Sequence, residues 1–133
     1  MKPSASSDAA GPALLDAQTS FLGDVVLTTP LLSALRRRVA PRRLAVLVRP
    51  EATALLEGHP DVDQVLVDDK RGADRGPIGL LRTARRLRQE GFDLAVSPHR
   101  SLRTALLLAA ARIPRRVGFR EARGAFLYHE RVP

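Results

Sequence analysis

Short apolar runs alternate with longer segments of helical spacing along this chain. The runs begin at Ala13, Arg43, Gln64 and Asp93, and each is rich in Leu and Val. Runs of this length, bounded by polar residues, glycine or proline, are typical of buried strands. The segment "RRVGF", which starts at Arg115, is a candidate fifth strand.

Helical spacing occurs in four segments between or after these runs. The first segment places leucines and Val39 on one face and three arginines near its end, where they suit the helix dipole. The second, "PEATALLEG", has Pro50 in its first turn and Gly58 at its exit. The fourth, "SLRTALLLAAARIP", is capped by Ser101 and stops before Pro114.

The third segment, "GPIGLLRTARRLRQEG", repeats the pattern with apolar and basic positions on different faces. Its four arginines are predicted to face outward. The positions predicted to face the core are Ile78, Leu81, Ala84 and Leu87.

Strand alternating with helix predicts an α/β fold, with a Rossmann-like parallel sheet and helices on both of its faces. Ligands of such sheets bind at the carboxyl ends of the strands, which singles out the loops after each run. Two residues depart from the ideal pattern. Pro30 lies inside the first helical segment, so that helix is either kinked there or begins again at Thr29. Asp16 lies inside the first strand, where an unpaired charge is unfavourable.

Length and composition indicate one soluble domain. The chain has 133 residues, of which 44% are hydrophobic and 27% charged, and it contains no apolar run long enough to span a membrane. Residues 1–12 lack the apolar core of a secretory signal and are expected to form a disordered tail, which leaves 13–133 as the domain. The absence of cysteine excludes disulfides and cysteine-based zinc sites and fits a cytoplasmic protein.

The net charge of +8 is concentrated near the carboxyl end. Residues 97–133 contain eight arginines and two glutamates, which gives +6 of that total. Such a field attracts phosphate or carboxylate partners. An arginine-rich composition throughout the chain is the competing explanation, since 20 of the 22 basic residues are arginine.

The pair Gly23-Asp24 follows the first predicted strand and has two interpretations. It matches neither a dinucleotide-binding fingerprint nor a phosphate-binding loop. Gly23 can allow a tight turn while Asp24 caps the next helix. Asp24 can also be a general base at the switch point of the sheet, kept ionised by the nearby helix N-terminus. The two roles are compatible.

Other candidate contacts follow the later strands. "SPHRS" places His99 and Arg100 after the fourth strand. Anion binding by Arg100 is a better interpretation of this segment than catalysis by the lone histidine. Arg120 lies beside a glycine-bearing segment in which backbone and guanidinium can both approach an anion. The three histidines show no metal-ligand spacing. Nucleic-acid binding is disfavoured, because aromatic residues make up only 4% and no binding motif is present.

Three long stretches together resemble the amino-terminal half of bacterial lipopolysaccharide heptosyltransferases, glycosyltransferase family 9. They are "TSFLGDVVLTTPLLSALRRR", "LAVLVRPEATALLEGHPDVDQVLVDDKRG" and "FDLAVSPHRSLRTALLLAAARIPRRVGFR". The likeness is strongest to the heptosyltransferase II type and covers nearly everything from Ala13 to Pro133. It implies a GT-B enzyme, of which this chain is the acceptor-side half, and a carboxyl-terminal domain that holds most of the ADP-sugar and is absent here.

This resemblance implies a chemistry and a set of site residues. Heptose would pass from ADP-heptose to the anionic inner core of lipopolysaccharide by an inverting displacement that uses no metal or other cofactor. The enzyme would act in the cytoplasm, and association with the inner face of the inner membrane is compatible with its substrate. Asp24 would be the base, and the implied substrate contacts are Thr19, Ser20, Gly23, Arg49, Lys70, His99, Arg100 and Arg120.

The chain also departs from the family pattern. A tail precedes the first strand, Asp16 interrupts that strand, and the chain ends at "YHERVP" where the family continues into its second domain. The 133-residue chain alone is therefore expected to be inactive. The basic carboxyl third of the chain supports an alternative hypothesis, in which the protein is a non-catalytic module that binds an anionic glycan, a nucleotide or nucleic acid.

Overall fold

The computed structural model describes residues 11–18, 29–69, 75–97, 102–119 and 130–132. The bounds of the strands are β1 Ala13–Gln18, β2 Arg43–Val48, β3 Gln64–Val67, β4 Leu94–Ser97, β5 Arg115–Phe119 and β6 Glu130–Val132. The helices are α1 Thr29–Arg38, α2 Thr53–Leu56, α3 Gly76–Glu90 and α4 Leu102–Ala110, and a single 3₁₀ turn, Pro50–Ala52, leads into α2.

The described strands form one parallel sheet in the order β3-β2-β1-β4-β5-β6. β1 is central and pairs with β2 along its whole length, from Ala13 opposite Arg43 to Gln18 opposite Val48. On its other side it pairs with β4, which places Asp16 opposite Val96. The predicted α/β Rossmann-like sheet is confirmed, and β6 is a strand that the sequence did not predict.

Alternate residues of β1 contribute to two separate cores on the two faces of the sheet. Leu15 and Ala17 belong to a core completed by Leu87 of α3 and Leu107 of α4. Leu14 belongs to the core on the other face, with residues from α1 and α2. Every residue of β1 is buried, and its sequence is apolar except for Asp16 and Gln18.

Helix boundaries follow the predicted proline and glycine signals. α1 includes Pro30 as its second residue, consistent with a helix that begins at Thr29. α2 ends before Gly58, which has φ +81°, and α3 ends at Gly91 with φ +72°, a left-handed conformation that glycine adopts without strain. Gly11 and Pro12, assigned above to the tail, contact the domain, because both carbonyl oxygens accept hydrogen bonds from Arg42.

One prediction about α3 is wrong. Ile78 and Leu81 were expected to face the core, but their exposed fractions are 77% and 61%. The buried stripe of α3 is Gly79, Thr83, Ala84 and Leu87, so Ala84 and Leu87 are placed as predicted. Apolar residues at helical spacing occur on two faces of this helix. Spacing alone does not tell which of the two packs on the sheet.

Ion pairs gather at the amino edge of the sheet, opposite the edge where ligands bind in this fold class. Asp93 Oδ2 accepts hydrogen bonds from the backbone N–H of Ala13 and from Arg42 Nη1, both at 2.9 Å. Asp63 Oδ2 likewise accepts from the N–H of Leu44 at 2.8 Å and from Arg36 Nη2 at 2.9 Å. Each aspartate satisfies a backbone N–H at or next to the start of the neighbouring strand.

Candidate functional site

The strand order produces a switch point at the carboxyl edge of the sheet, between β1 and β4. The chain moves outward from β1 to β2 and β3, then returns to the other side of β1 to form β4. Connections on the two sides of this point leave toward opposite faces, which opens a crevice in sheets of this class. The residues that follow β1 and β4 in the sequence are the segments with Asp24 and with His99.

Most residues predicted for the site lie outside the described residues. These are Thr19, Ser20, Gly23, Asp24, Lys70, His99, Arg100 and Arg120. Their assignment to the site therefore stays a prediction. The strand ends that precede them are described, and they show which chain segments the topology directs to the switch point.

Arg49 is the one predicted site residue within the described part of the chain. It directly follows β2 at the carboxyl edge, and only 8% of its surface is exposed. Its Nη2 lies 3.1 Å from Oε2 of Glu51, a half-exposed carboxylate. This pairing holds the guanidinium at the edge of the sheet.

A second ion pair at the same edge was not foreseen. Asp68 follows β3 and is 1% exposed, and its Oδ1 accepts a hydrogen bond of 3.0 Å from Nη2 of Arg103 on α4. The pair links the end of the outermost strand to a helix that follows β4. Only the position of both residues just after strands hinted at their proximity.

Asp16 and Gln18 form a buried polar pair on β1 next to the switch point. Gln18 Nε2 donates to Asp16 Oδ2 at 2.7 Å, and Oδ1 of Asp16 has no hydrogen-bond partner among the described residues. Burial raises the pKa of Asp16 to about 7, although the hydrogen bond from Gln18 acts in the opposite direction. A neutral carboxyl group accounts for how the strand tolerates this residue.

The described residues show two further properties. No group of three or more His, Cys, Asp or Glu side chains among them is arranged to hold a metal ion. No helix in the described ranges has both the length and the apolar character needed to cross a membrane.

Solved structures of three proteins share this fold. The crystal structure of a glycosyl transferase family 9 protein from Veillonella parvula DSM 2008 is 28% identical, with a TM-score of 0.75 over 81% of this chain and 32% of that one. E. coli ADP-heptose LPS heptosyltransferase II is 22% identical, with a TM-score of 0.72 over 87% of this chain and 33% of that one. E. coli heptosyltransferase WaaC with ADP is 20% identical, with a TM-score of 0.68 over 90% of this chain and 40% of that one.

These matches correspond to one domain of the solved proteins. The chain spans between about a third and two fifths of their length. The structure therefore matches one Rossmann-like domain of the GT-B heptosyltransferases of glycosyltransferase family 9. By sequence alone, no protein-family model and no curated protein matches the chain.

Proposed function

We propose that this chain is the acceptor-side domain of a glycosyltransferase that transfers heptose from ADP-heptose to the inner core of lipopolysaccharide. The observation that carries the proposal is the structural match to family 9 glycosyltransferases over 81–90% of the chain. One of the matched structures holds ADP, and another WaaC structure holds ADP-2-deoxy-2-fluoro heptose. The strand order with its switch point beside β1 adds support, since the segment with Asp24 follows that strand.

Asp24 is the proposed general base of this reaction. Its carboxylate takes the proton of an acceptor hydroxyl, and the hydroxyl oxygen forms a bond to the anomeric carbon of the heptose. The bond from that carbon to the phosphate oxygen breaks at the same time, so ADP leaves with the electron pair and the configuration is inverted. General-base assistance of this kind contributes about 100- to 10,000-fold to the rate.

The acceptor is proposed to meet the basic residues that follow the strands. Arg49 is one of these and is held at the carboxyl edge by Glu51. Lys70, Arg100 and Arg120 follow β3, β4 and β5 in the sequence. Thr19, Ser20, Gly23 and His99 are the proposed polar contacts. A cytoplasmic enzyme at the inner face of the inner membrane fits an acceptor that is carried by lipid.

A hybrid enzyme tests the role of Asp24. Residues 13–133 would be joined to the carboxyl-terminal domain of E. coli heptosyltransferase II, and transfer from ADP-heptose to a heptose-acceptor core would be measured. Asp24→Asn and Asp24→Ala are expected to lower kcat by about 100- to 10,000-fold, because no base then takes the hydroxyl proton.

Asp61→Asn is the matched control for this experiment. Asp61 lies in the turn before β3, at the opposite edge of the sheet, and accepts a hydrogen bond of 2.7 Å from Ser33 Oγ that an asparagine side chain can also accept. This variant is expected to keep full activity. Unchanged transfer by both Asp24 variants would remove Asp24 from the mechanism, and an inactive parent hybrid would count against the proposed function.

The alternative of a non-catalytic module for anionic ligands has less support from the described residues. Arg103 is paired with Asp68, and Arg116 Nη1 donates to the carbonyl oxygen of Ile113 at 2.8 Å. Part of the basic carboxyl third is therefore engaged within the domain. Salt-dependent binding to unrelated nucleic acid, without preference for core sugars, would favour this alternative.

A further inference from the structure

The outer surface of α3 and α4 carries an apolar patch that the core does not use. The α3–α4 patch consists of Ile78 and Leu81 on α3, and Leu102 and Leu106 on α4, with exposed fractions of 77%, 61%, 40% and 41%. Four of the five large hydrophobic side chains that are exposed in the described residues thus belong to it, the fifth being Leu55. Such clustering marks an interaction surface, whereas scattered exposed leucines do not.

The members of the patch lie close together. Ile78 and Leu81 are three residues apart on α3, and Leu102 and Leu106 are four apart on α4, so each pair is adjacent on its helix. The two helices border a shared groove, which is lined by Leu81, Leu102 and Leu106 among others. The patch is therefore one continuous apolar strip across both helices.

Arginines flank this strip without matching acids. Arg82 and Arg85 are exposed on α3, one turn from Ile78 and Leu81 respectively, and neither forms an ion pair within the described residues. α4 contains no acidic residue, and the one acid of α3, Glu90, is at its far end and pairs with Arg43. Asp68, at the end of β3, is buried and pairs with Arg103, which lines the groove. Within the described part of the chain, this surface thus presents isoleucine and leucine beside Arg82 and Arg85, which form no ion pair there.

This chemistry selects among the surfaces that would cover the patch. A second copy of the chain would bring the same arginines against each other, which is unfavourable for a two-fold interface. A bilayer with anionic lipids offers acyl chains for the leucines and phosphates for the guanidinium groups. We propose that the α3–α4 patch docks this domain on an anionic membrane surface.

The position of the patch relates this docking to the proposed function. α3 and α4 follow β3 and β4, so their amino-terminal halves, which carry the patch, begin on the carboxyl side of the sheet. That is also the side of the switch point. Docking there would bring the site close to a lipid-carried acceptor, a consequence that rests on the proposed function. The docking itself does not depend on it.

Flotation with lipid vesicles tests the docking directly. The 133-residue protein would be mixed with vesicles of phosphatidylcholine alone, or with vesicles in which about a third of the lipid is phosphatidylglycerol. Binding to the anionic vesicles is expected, with weak binding to the neutral ones. The double variant Ile78→Gln/Leu81→Gln is expected to bind at least about 10-fold more weakly, because two apolar side chains no longer enter the bilayer.

Charge is tested by a second pair of substitutions. Arg82→Gln/Arg85→Gln is expected to weaken binding to anionic vesicles by about 30-fold and to leave binding to neutral vesicles unchanged. Two controls match these variants on the other face of the sheet. Leu55→Gln replaces an exposed leucine of α2, and Arg37→Gln/Arg38→Gln replaces two exposed arginines of α1. Both controls are expected to bind like the parent protein, and circular dichroism checks that all variants fold.

Three results would overturn the proposal. The parent protein could stay with the unbound fraction on anionic vesicles, or the controls could lose as much binding as the patch variants. A patch variant could also convert a dimer into a monomer while vesicle binding is unchanged, which would make the patch an interface between copies. None of these results involves sugar transfer, so the failure of this proposal and the failure of the proposed function are distinguishable.

Discussion

Asp16 is a fully buried carboxyl group in the central strand, and its only hydrogen-bond partner among the described residues is Gln18. Burial raises its pKa from the ordinary value of 3.8 to about 7. Between these two values the folded chain holds a proton that the unfolded chain has released. The stabilisation from this proton is fully present below about pH 4 and is lost as the pH rises to about 7.

We expect the substitution Asp16→Asn to remove this pH dependence. The variant has no ionisable group at this position. The difference in the free energy of unfolding between the variant and the parent should therefore grow, in favour of the variant, by on the order of 2 kcal/mol as the pH rises from about 5 to about 8. Urea unfolding at a series of pH values measures the difference. Comparing the two proteins cancels the contribution of other carboxylates, such as Asp63. Partial burial raises the pKa of Asp63, but the hydrogen bonds from Arg36 and from the N–H of Leu44 outweigh it, so the pKa is lowered overall.

Gln18→Leu provides an independent check. Leucine cannot donate the hydrogen bond that lowers the pKa of Asp16, so the midpoint of the pH-dependent loss of stability should move to higher pH. Identical pH profiles for the parent and Asp16→Asn would show that folding does not raise the pKa of Asp16.

At the residue scale, the sequence identified unusual positions better than contacts. Asp16 stood out because a charge interrupts an apolar strand, and its burial follows from that strand being central. The pairing of Arg49 with Glu51 and of Asp68 with Arg103 was not predicted. Asp68 and Arg103 are 35 residues apart, and only the order of the strands brings them together. Local pattern contains no information on such a contact.

At the element scale, Asp93 holds the start of β1 in place, and we expect Asp93→Ala to destabilise the fold. The change leaves the N–H of Ala13, a fully buried residue, without its carboxylate acceptor. A loss of about 1 kcal/mol in the free energy of unfolding is expected from a bond of this kind. Thermal or urea unfolding of the purified variant measures it.

Two further variants separate the hydrogen bond from the ion pair. Asp93→Asn keeps an oxygen acceptor for Ala13, and Arg42→Ala removes the cation of an exposed pair with Asp93. Both are expected to cost less than Asp93→Ala, because exposed ion pairs contribute little. Equal losses for Asp93→Ala and Asp93→Asn would contradict the capping role of the carboxylate.

Most element boundaries could be predicted, since they depend on local signals. The run "RLAVLV" and the glycine after α3 define β2 and the end of α3 nearly to the residue. The predicted second helix begins at Pro50 as a 3₁₀ turn, and its α-helical part is limited to Thr53–Leu56. The prediction of the inward face of α3 was partly wrong, because the helix packs through Gly79, Thr83 and Ala84, which are small or polar. β6 has three residues, Glu130–Val132, too few for a periodic pattern to emerge.

For the whole molecule, we expect the 133-residue chain alone not to transfer sugar. The chain spans only 32–40% of the length of the solved proteins that it matches. Stabilisation of the leaving diphosphate requires preorganised donors, which the proposal assigns to the other domain. Incubation of the purified chain with ADP-heptose and a heptose-acceptor core tests this. Turnover that disappears in Asp24→Asn would show that this chain contains a complete active site.

The class of the sheet could be predicted from the sequence, whereas the predicted site stays a prediction. Alternating runs and helices predicted the parallel sheet, and the resemblance to family 9 glycosyltransferases agrees with the structural match. The strand order assigns the segments with Asp24 and His99 to strands that border the switch point. Roles of individual side chains depend on geometry beyond the described residues, so those roles stay predictions.

The strand order also determines when the strands can pair during synthesis, because a ribosome makes the chain from its amino end. β1 emerges first and β2 soon after, but the contact between Ala13 and Asp93 at the start of β4 spans 80 residues. One edge of the central strand therefore stays open during most of synthesis, and open apolar edges tend to pair with other chains. Asp16 is ionised in the unfolded chain at neutral pH, and a charge in an apolar strand opposes such pairing. With a folded-state pKa of about 7, this carboxyl group is partly protonated at neutral pH once β4 closes the sheet, so the charge that opposes such pairing is greatest while the chain is unfolded.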